Sequence, residues 1–308
     1  ALVRSTGDGD EALERRPAAP ATRPGAGCRR QLRHGAGSLR DTIAAASAGD
    51  TIVFQSGVTT VALTSDELLI DKLIIIDGGT SGVTVTRSSA AQFRIFRIAS
   101  GGNLTLNGIA VTNGSSTTQA GGVWVQTNGA ATITNSTIDG NSAPQGGGVQ
   151  NDGILSMVGC TVSNNAATTA YGGGVLSFSS TTTQLTSCTI TGNTALSDTG
   201  GAGNSGTGSW TVTNCTIIGN SSGSAPGGLE TYSHPVKVVN SIIVGNTFGA
   251  GVNSDIDGAF TASKNNIIGV VAGGSGISNG ISNNVVGATL NSAGIGTLGF
   301  YGGLTKTF

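Results

Sequence analysis

The chain has 308 residues, with 52 Gly, 6 Pro, 37% hydrophobic residues, only 4% aromatic ones and a net charge of −1. A core of Val, Ile, Leu and Ala with so few rings suits thin stacked layers, and Gly together with β-branched residues disfavours long helices. Charge is uneven: eight Arg fall in residues 1–40, while past Arg97 the only Lys or Arg are Lys237, Lys264 and Lys306, which leaves the body without the basic patch that nucleic acid requires.

Residues 1–37 are rich in Arg, Pro, Ala and Gly without periodicity, and disorder is the expectation there. The alternative is a non-native, frame-shifted segment. Cys28 to His34 can be back-translated so that dropping one base gives Ala-Val-Asp-Asn-Ser-Asp-Thr, which leads naturally into Gly35. Neither this stretch nor any other supplies a signal-peptide h-region or an apolar run long enough to span a membrane.

A single domain is expected over residues 38–308. It opens with a capping helix at about 38–47, because Ser38 with Asp41 three residues on is close to a capping box and Leu39, Ile43 and Ala46 make one apolar face. Strands are expected next at Thr51–Phe54, Leu73–Ile76 and Phe93–Ile98.

From there a phrase repeats: TITNSTIDGN at 132–141, SMVGCTVSNN at 156–165, LTSCTITGN at 185–193, TVTNCTIIGN at 211–220 and KVVNSIIVGN at 237–246. Its closing Asn residues, Asn141, Asn165, Asn193, Asn220 and Asn246, lie 24, 28, 27 and 26 apart. A second phrase, Gly-Gly-apolar, keeps the same phase at Val123, Val149, Val175 and Leu229, with a degenerate copy around Gly200–Gly203. Short β-branched strands at this period, with no helix between them, predict an all-β, right-handed parallel β-helix solenoid of about nine or ten coils.

Aligned coils give inward columns, one holding Leu106, Ile133, Met157, Leu185, Val212 and Val238, another Val111, Ile138, Val162, Ile190, Ile217 and Ile243. Cys160, Cys188 and Cys215 share a third column, where small-residue stacking is expected rather than zinc. Stacked Asn side chains are expected to hydrogen-bond from coil to coil, and the Asn after Gly to take a positive-φ turn. The period is lost from about Asn283, with no obvious cap, so end-to-end self-assembly into filaments is one expected partner interaction.

Gly37-Ser38-Leu39-Arg40-Asp41-Thr42-Ile43 followed by Gly49-Asp50-Thr51-Ile52 resembles the start of bacterial surface β-helix proteins. The Gly-Gly-Val and Thr-Ile-x-Gly-Asn coils resemble the repeats of polymorphic outer-membrane proteins. Asn266-Ile267-Ile268-Gly269 and LGFYGGLT at 298–305 resemble the end of a choice-of-anchor Q domain, although the Ser-Pro-Ala-Ile-Asp segment that usually follows is absent, as in a truncated or diverged chain. The resemblance spans about residues 35–305. It implies export and display at the surface of a bacterium, as a structural or adhesin-like protein.

Catalytic, metal and cofactor residues are not expected. The acids Asp139, Asp152, Asp198, Glu230, Asp255 and Asp257 are scattered along the sequence, and past Arg97 there is no Arg to act as a lyase base. The candidate contact surface is Trp124, Asp152, Phe178 and Tyr232, which follow the Gly-Gly-apolar phrase with Trp124 two positions out of phase, together with Glu230 and His234 beside Lys237. Such a strip could stack on the sugars of a surface polysaccharide, and the alternative function is therefore a carbohydrate-binding or polysaccharide-degrading β-helix. A remoter alternative, ice binding, would need Thr137, Thr161, Thr189 and Thr216 to form an exposed rank.

Overall fold

The computed structural model describes residues 3–8 and 30–32 by backbone alone, and residues 38–178, 181–232, 234–299 and 305–307 in full. Residues 38–286 wind as a parallel β-helix of about eight turns. Sheet 1 runs from Asp50–Phe54 to Val236–Val239, sheet 2 from Thr60–Leu63 to Val285–Val286, and sheet 3 from Leu68–Ile70 to Ile256–Asp257. A fourth, short sheet of two-residue strands begins at Ser142–Ala143. The expected solenoid is borne out, at about eight full turns with ten strands in sheet 2. The last coil is short: Asn266 and Asn284 sit one above the other only 18 residues apart, and the chain between them bridges Val271 to Ile256 and Ser275 to Ala259 of the coil before.

Both apolar columns stack as the spacing required. Leu106 pairs in register through Ile133, Met157, Leu185 and Val212 to Val238. Val111 does so through Ile138, Val162, Ile190 and Ile217 to Ile243. All of these side chains are buried. Each one removed from water contributes about 1.5–3 kcal/mol, and every contact is with the next coil about 4.8 Å away.

The closing Asn residues form the expected ladder. Asn165 donates from its backbone N and from Nδ2 to Oδ1 of Asn193, at 3.0 and 2.9 Å. The same pair of bonds links Asn141 to Asn165, Asn193 to Asn220 and Asn220 to Asn246. Asp255 ends the ladder by accepting both bonds from Asn246 at 2.8 Å. The expected turn differs in one respect. Positive φ falls on the Gly before the ladder residue, as at Gly192 (φ 66°), so that Asn193 is free to hydrogen-bond along the axis.

The second phrase is explained by close approach. A Cβ on Gly174 would lie 2.5 Å from the carbonyl oxygen of Gly201 and 3.0 Å from the ladder side chain of Asn193. Only Gly lets neighbouring coils pass so closely.

Cys160, Cys188 and Cys215 stack as free, buried thiols. Ser136 and Ser241 flank them, and Asn266 and Asn284 extend the column further than the sequence suggested. Column members donate to, or accept from, the backbone of adjacent coils, as where Cys215 N donates to Ser241 Oγ at 3.1 Å.

At the first turn, helix α1 spans Leu39–Ala45. The Ser38 side chain accepts from Asp41 N at 3.1 Å and donates to Asp41 Oδ2 at 2.7 Å, a closed capping interaction. Leu39, Ile43 and Ala46 join the core and cover its end. Within the segment expected to be disordered or non-native, Val3–Asp8 pairs antiparallel with Asp50–Phe54, and Arg30–Leu32 pairs with Val3–Asp8. The rest of residues 1–37 lies outside the described residues. Among the described residues no helix is long and apolar enough to cross a membrane.

Past Val286 the chain turns back along the rod. Thr305 Oγ1 donates to the Gly159 carbonyl at 3.0 Å, Thr161 Oγ1 bonds the Lys306 carbonyl, and the Thr189 and Thr307 hydroxyls are 3.2 Å apart. Thr161 and Thr189 are consequently buried. The Thr rank that ice binding would need is not an exposed face.

Candidate functional site

Side chains alternate across a strand, so each strand of sheet 3 sends its middle residue outward while its flanking residues face the core. In-register pairing then fixes one outward column along the rod: Leu69, Arg97, Trp124, Gln150, Leu176, Gly203, Glu230, Asp257. The residue just after each strand makes a second, parallel column, with Asp152, Phe178, Ser205 and Tyr232 at equivalent places. Trp124 and Glu230 therefore belong to the first column, and Asp152, Phe178 and Tyr232 to the second, the two-position offset of Trp124 seen in the sequence.

At the helix-capped end, Glu67 sits between two guanidinium groups. Its Oε2 is 3.1 Å from Arg94 Nε, and its Oε1 accepts from Arg97 Nε. Arg94 lies 4.5 Å over the Trp124 ring and reaches Thr118 Oγ1 at 3.0 Å. Burial lowers the pKa of Arg94 from its ordinary value, and the neighbouring Glu67 carboxylate opposes that shift. Trp124 Nε1 donates to Asp152 Oδ2 at 2.6 Å, and Gln150 Nε2 is 3.2 Å from both oxygens of Asp152. Asp152 thus sets the angle of the indole.

Four coils on, about 19 Å by the strand spacing, the acids that look scattered in sequence meet. Glu230 is buried on the outer side of sheet 3 beside Asp257, its register partner, and close to Asp198. Thr199 Oγ1 bonds Glu230 Oε2. Burial, followed by the Asp198 carboxylate, pushes the pKa of Glu230 up to about 9, so it carries its proton at neutral pH. Near this group the exposed rings of Tyr171 and Tyr232 meet edge to face at 6.5 Å. Phe178 lies between the two clusters, exposed by 38%.

The structure thus brings Trp124 and Asp152 together and puts Glu230, Tyr232 and Phe178 on the same face. It does not bring in His234, whose side chain is exposed in the turn after sheet 3, nor Lys237, which points outward from sheet 1. Arg94, Arg97, Glu67, Gln150 and Tyr171 were missed. Counting register from Val123 back to Phe96 would have found Arg97; Tyr171 sits in a loop, where no periodicity marks it. Among the described residues, no group of three His, Cys, Asp or Glu side chains is arranged to hold a metal ion.

A scan against protein families matches residues 121–290 to the family described as "Right handed beta helix region". The chain belongs to the right-handed β-helix family. In this β-helix the matched region holds the Asn ladder, the Gly column and most of the outward face. Among solved structures, pectate lyase Pel9A is similar at 14% identity and a TM-score of 0.34, over 82% of this chain and 76% of that one. A likeness at that level carries no argument about activity. A search of curated proteins finds no match.

Proposed function

We propose that this β-helix binds a polysaccharide lengthwise along the outer face of sheet 3, on the outside of a bacterial cell. The observation that supports this most is the outer side of sheet 3, where the exposed rings of Phe178 and Tyr232 and the half-buried Trp124 and Arg97 share one side of the rod. The coil rise of about 4.8 Å is close to the advance of one sugar along a glycan, so successive rings can meet successive coils. Aromatic faces contribute the apolar contact, and the fixed polar groups contribute orientation. The opening motif's resemblance to surface proteins suggests the location. This reading puts the working surface on the side of the rod, in place of the end-to-end assembly that the sequence suggested.

Affinity electrophoresis through gels containing different polysaccharides tests it. The wild-type chain should be retarded by at least one of them, and Phe178→Ala and Tyr232→Ala, both exposed substitutions, should move freely. Equal mobility of all three proteins in every gel would sink the reading.

A second reading, cleavage of the bound glycan, rests on Glu230. It is a protonated carboxyl beside the carboxyls of Asp198 and Asp257, the ingredients of general acid catalysis by a carboxyl pair. Release of reducing ends from a retained glycan, abolished by Glu230→Gln, would establish it. Retention without release would leave binding alone.

A further inference from the structure

We propose that Arg97 and the Trp124 indole form a subsite for an acidic sugar: the Arg97 guanidinium pairs with the sugar's carboxylate, and Arg94 holds the indole from behind. This rests on the glycan-binding reading and names the class of glycan.

Arg97 and Trp124 are register partners on the outward column. Glu67 grips Arg97 through Nε only. The two Nη atoms of Arg97 make no hydrogen bond among the described residues, and the side chain is 32% exposed. The fork is therefore oriented and partly immobilised, with its outer edge free, the arrangement that suits bidentate recognition of a carboxylate.

Arg94 supplies the second observation. It is only 9% exposed. Its Nη2 reaches Ser116 Oγ at 3.4 Å and Thr118 Oγ1 at 3.0 Å, yet Nη1 is buried with no partner among the described residues. A buried donor on a charged group is costly to leave unanswered, and an anion drawn to the neighbourhood answers it electrostatically. Local charge agrees. Arg94 and Arg97 share the single Glu67 carboxylate, while Arg40 is taken up by the backbone carbonyls of Asp66 and Glu67. Asp152 is occupied with Trp124 and Gln150. The opposite end of the face, with Asp198 and Asp257, repels an anion, so the charges also set the direction in which an acidic glycan lies.

The test uses a short uronate oligosaccharide, its carboxyl-reduced neutral counterpart and the full chain. Trp210 is buried in the core, so ligand-dependent change in tryptophan fluorescence reports Trp124. The acidic form should bind at least about tenfold more tightly than the reduced form, and added salt should erode the difference. Arg97→Gln should abolish the preference and Arg97→Lys should keep part of it, with circular dichroism confirming that both remain folded. Equal binding of both forms, unaltered in Arg97→Gln, would overturn the acidic subsite and leave glycan binding standing. Binding of neither form, in a protein that is also unretarded in every polysaccharide gel, would overturn both.

Discussion

Replacing Asn193 with Ala removes one rung of the ladder without touching the surface. Asn193 is fully buried. Its Oδ1 accepts from Asn165 N and Asn165 Nδ2, and its Nδ2 donates to the Val162 carbonyl at 2.9 Å. Ala leaves the Asn165 backbone N–H, whose one acceptor was that oxygen, orphaned in the interior, a cost of about 1–3 kcal/mol. The other three bonds, including the one that Asn193 Nδ2 donates to Asn220 Oδ1 at 2.9 Å, are worth roughly 1 kcal/mol each. The expected loss is therefore about 4–6 kcal/mol, against less than about 0.5 kcal/mol for Lys237→Ala on the exposed face of sheet 1. Chemical denaturation of the three proteins gives the difference. Native-state hydrogen exchange locates it, since the Asn165 amide should lose protection before those of distant coils. A loss under about 1 kcal/mol with Asn165 still protected would refute the idea that the ladder holds the coils together.

Gly174→Ala should destabilise by about 3 kcal/mol or more, because the new methyl would meet the Gly201 carbonyl at 2.5 Å and the ladder at 3.0 Å, neither able to retreat in a packed interior; an unchanged unfolding midpoint would contradict this. Glu230 binds its proton more strongly folded than unfolded, with its pKa raised from 4.5 to about 9. Its contribution to stability is therefore full below about pH 4.5 and is lost as pH rises towards 9, and Glu230→Gln should flatten the decline of the unfolding midpoint over that range. The neighbouring Cys188 thiol, followed by burial, pushes the thiols of Cys160 and Cys215 up, and all three stacked thiols are at most 2% exposed. They should resist alkylation in the native protein and react on unfolding, as read by mass spectrometry of peptides.

The period, the inward columns, the Asn ladder and the capping helix were legible in the sequence because each is imposed locally and repeated. An inward position must be apolar in every coil, a close approach must be Gly, and a ladder rung must be Asn, so about 26 residues of spacing writes the same demands again and again. What the sequence left undecided was which side chains meet on the outside. Coils of 24 to 28 residues, with two phrases in them, shift outward residues relative to one another without disturbing the core. Asp198, Glu230 and Asp257 look scattered along the chain and are gathered only by register between coils. His234 and Lys237 look adjacent to Glu230 and point elsewhere, because a turn and a change of sheet separate them. Arg94 and Trp124, with Glu67 between Arg94 and Arg97, come from three successive coils. The inward columns depend on a period that repetition reveals, whereas the outward face depends on a register that only the wound chain decides.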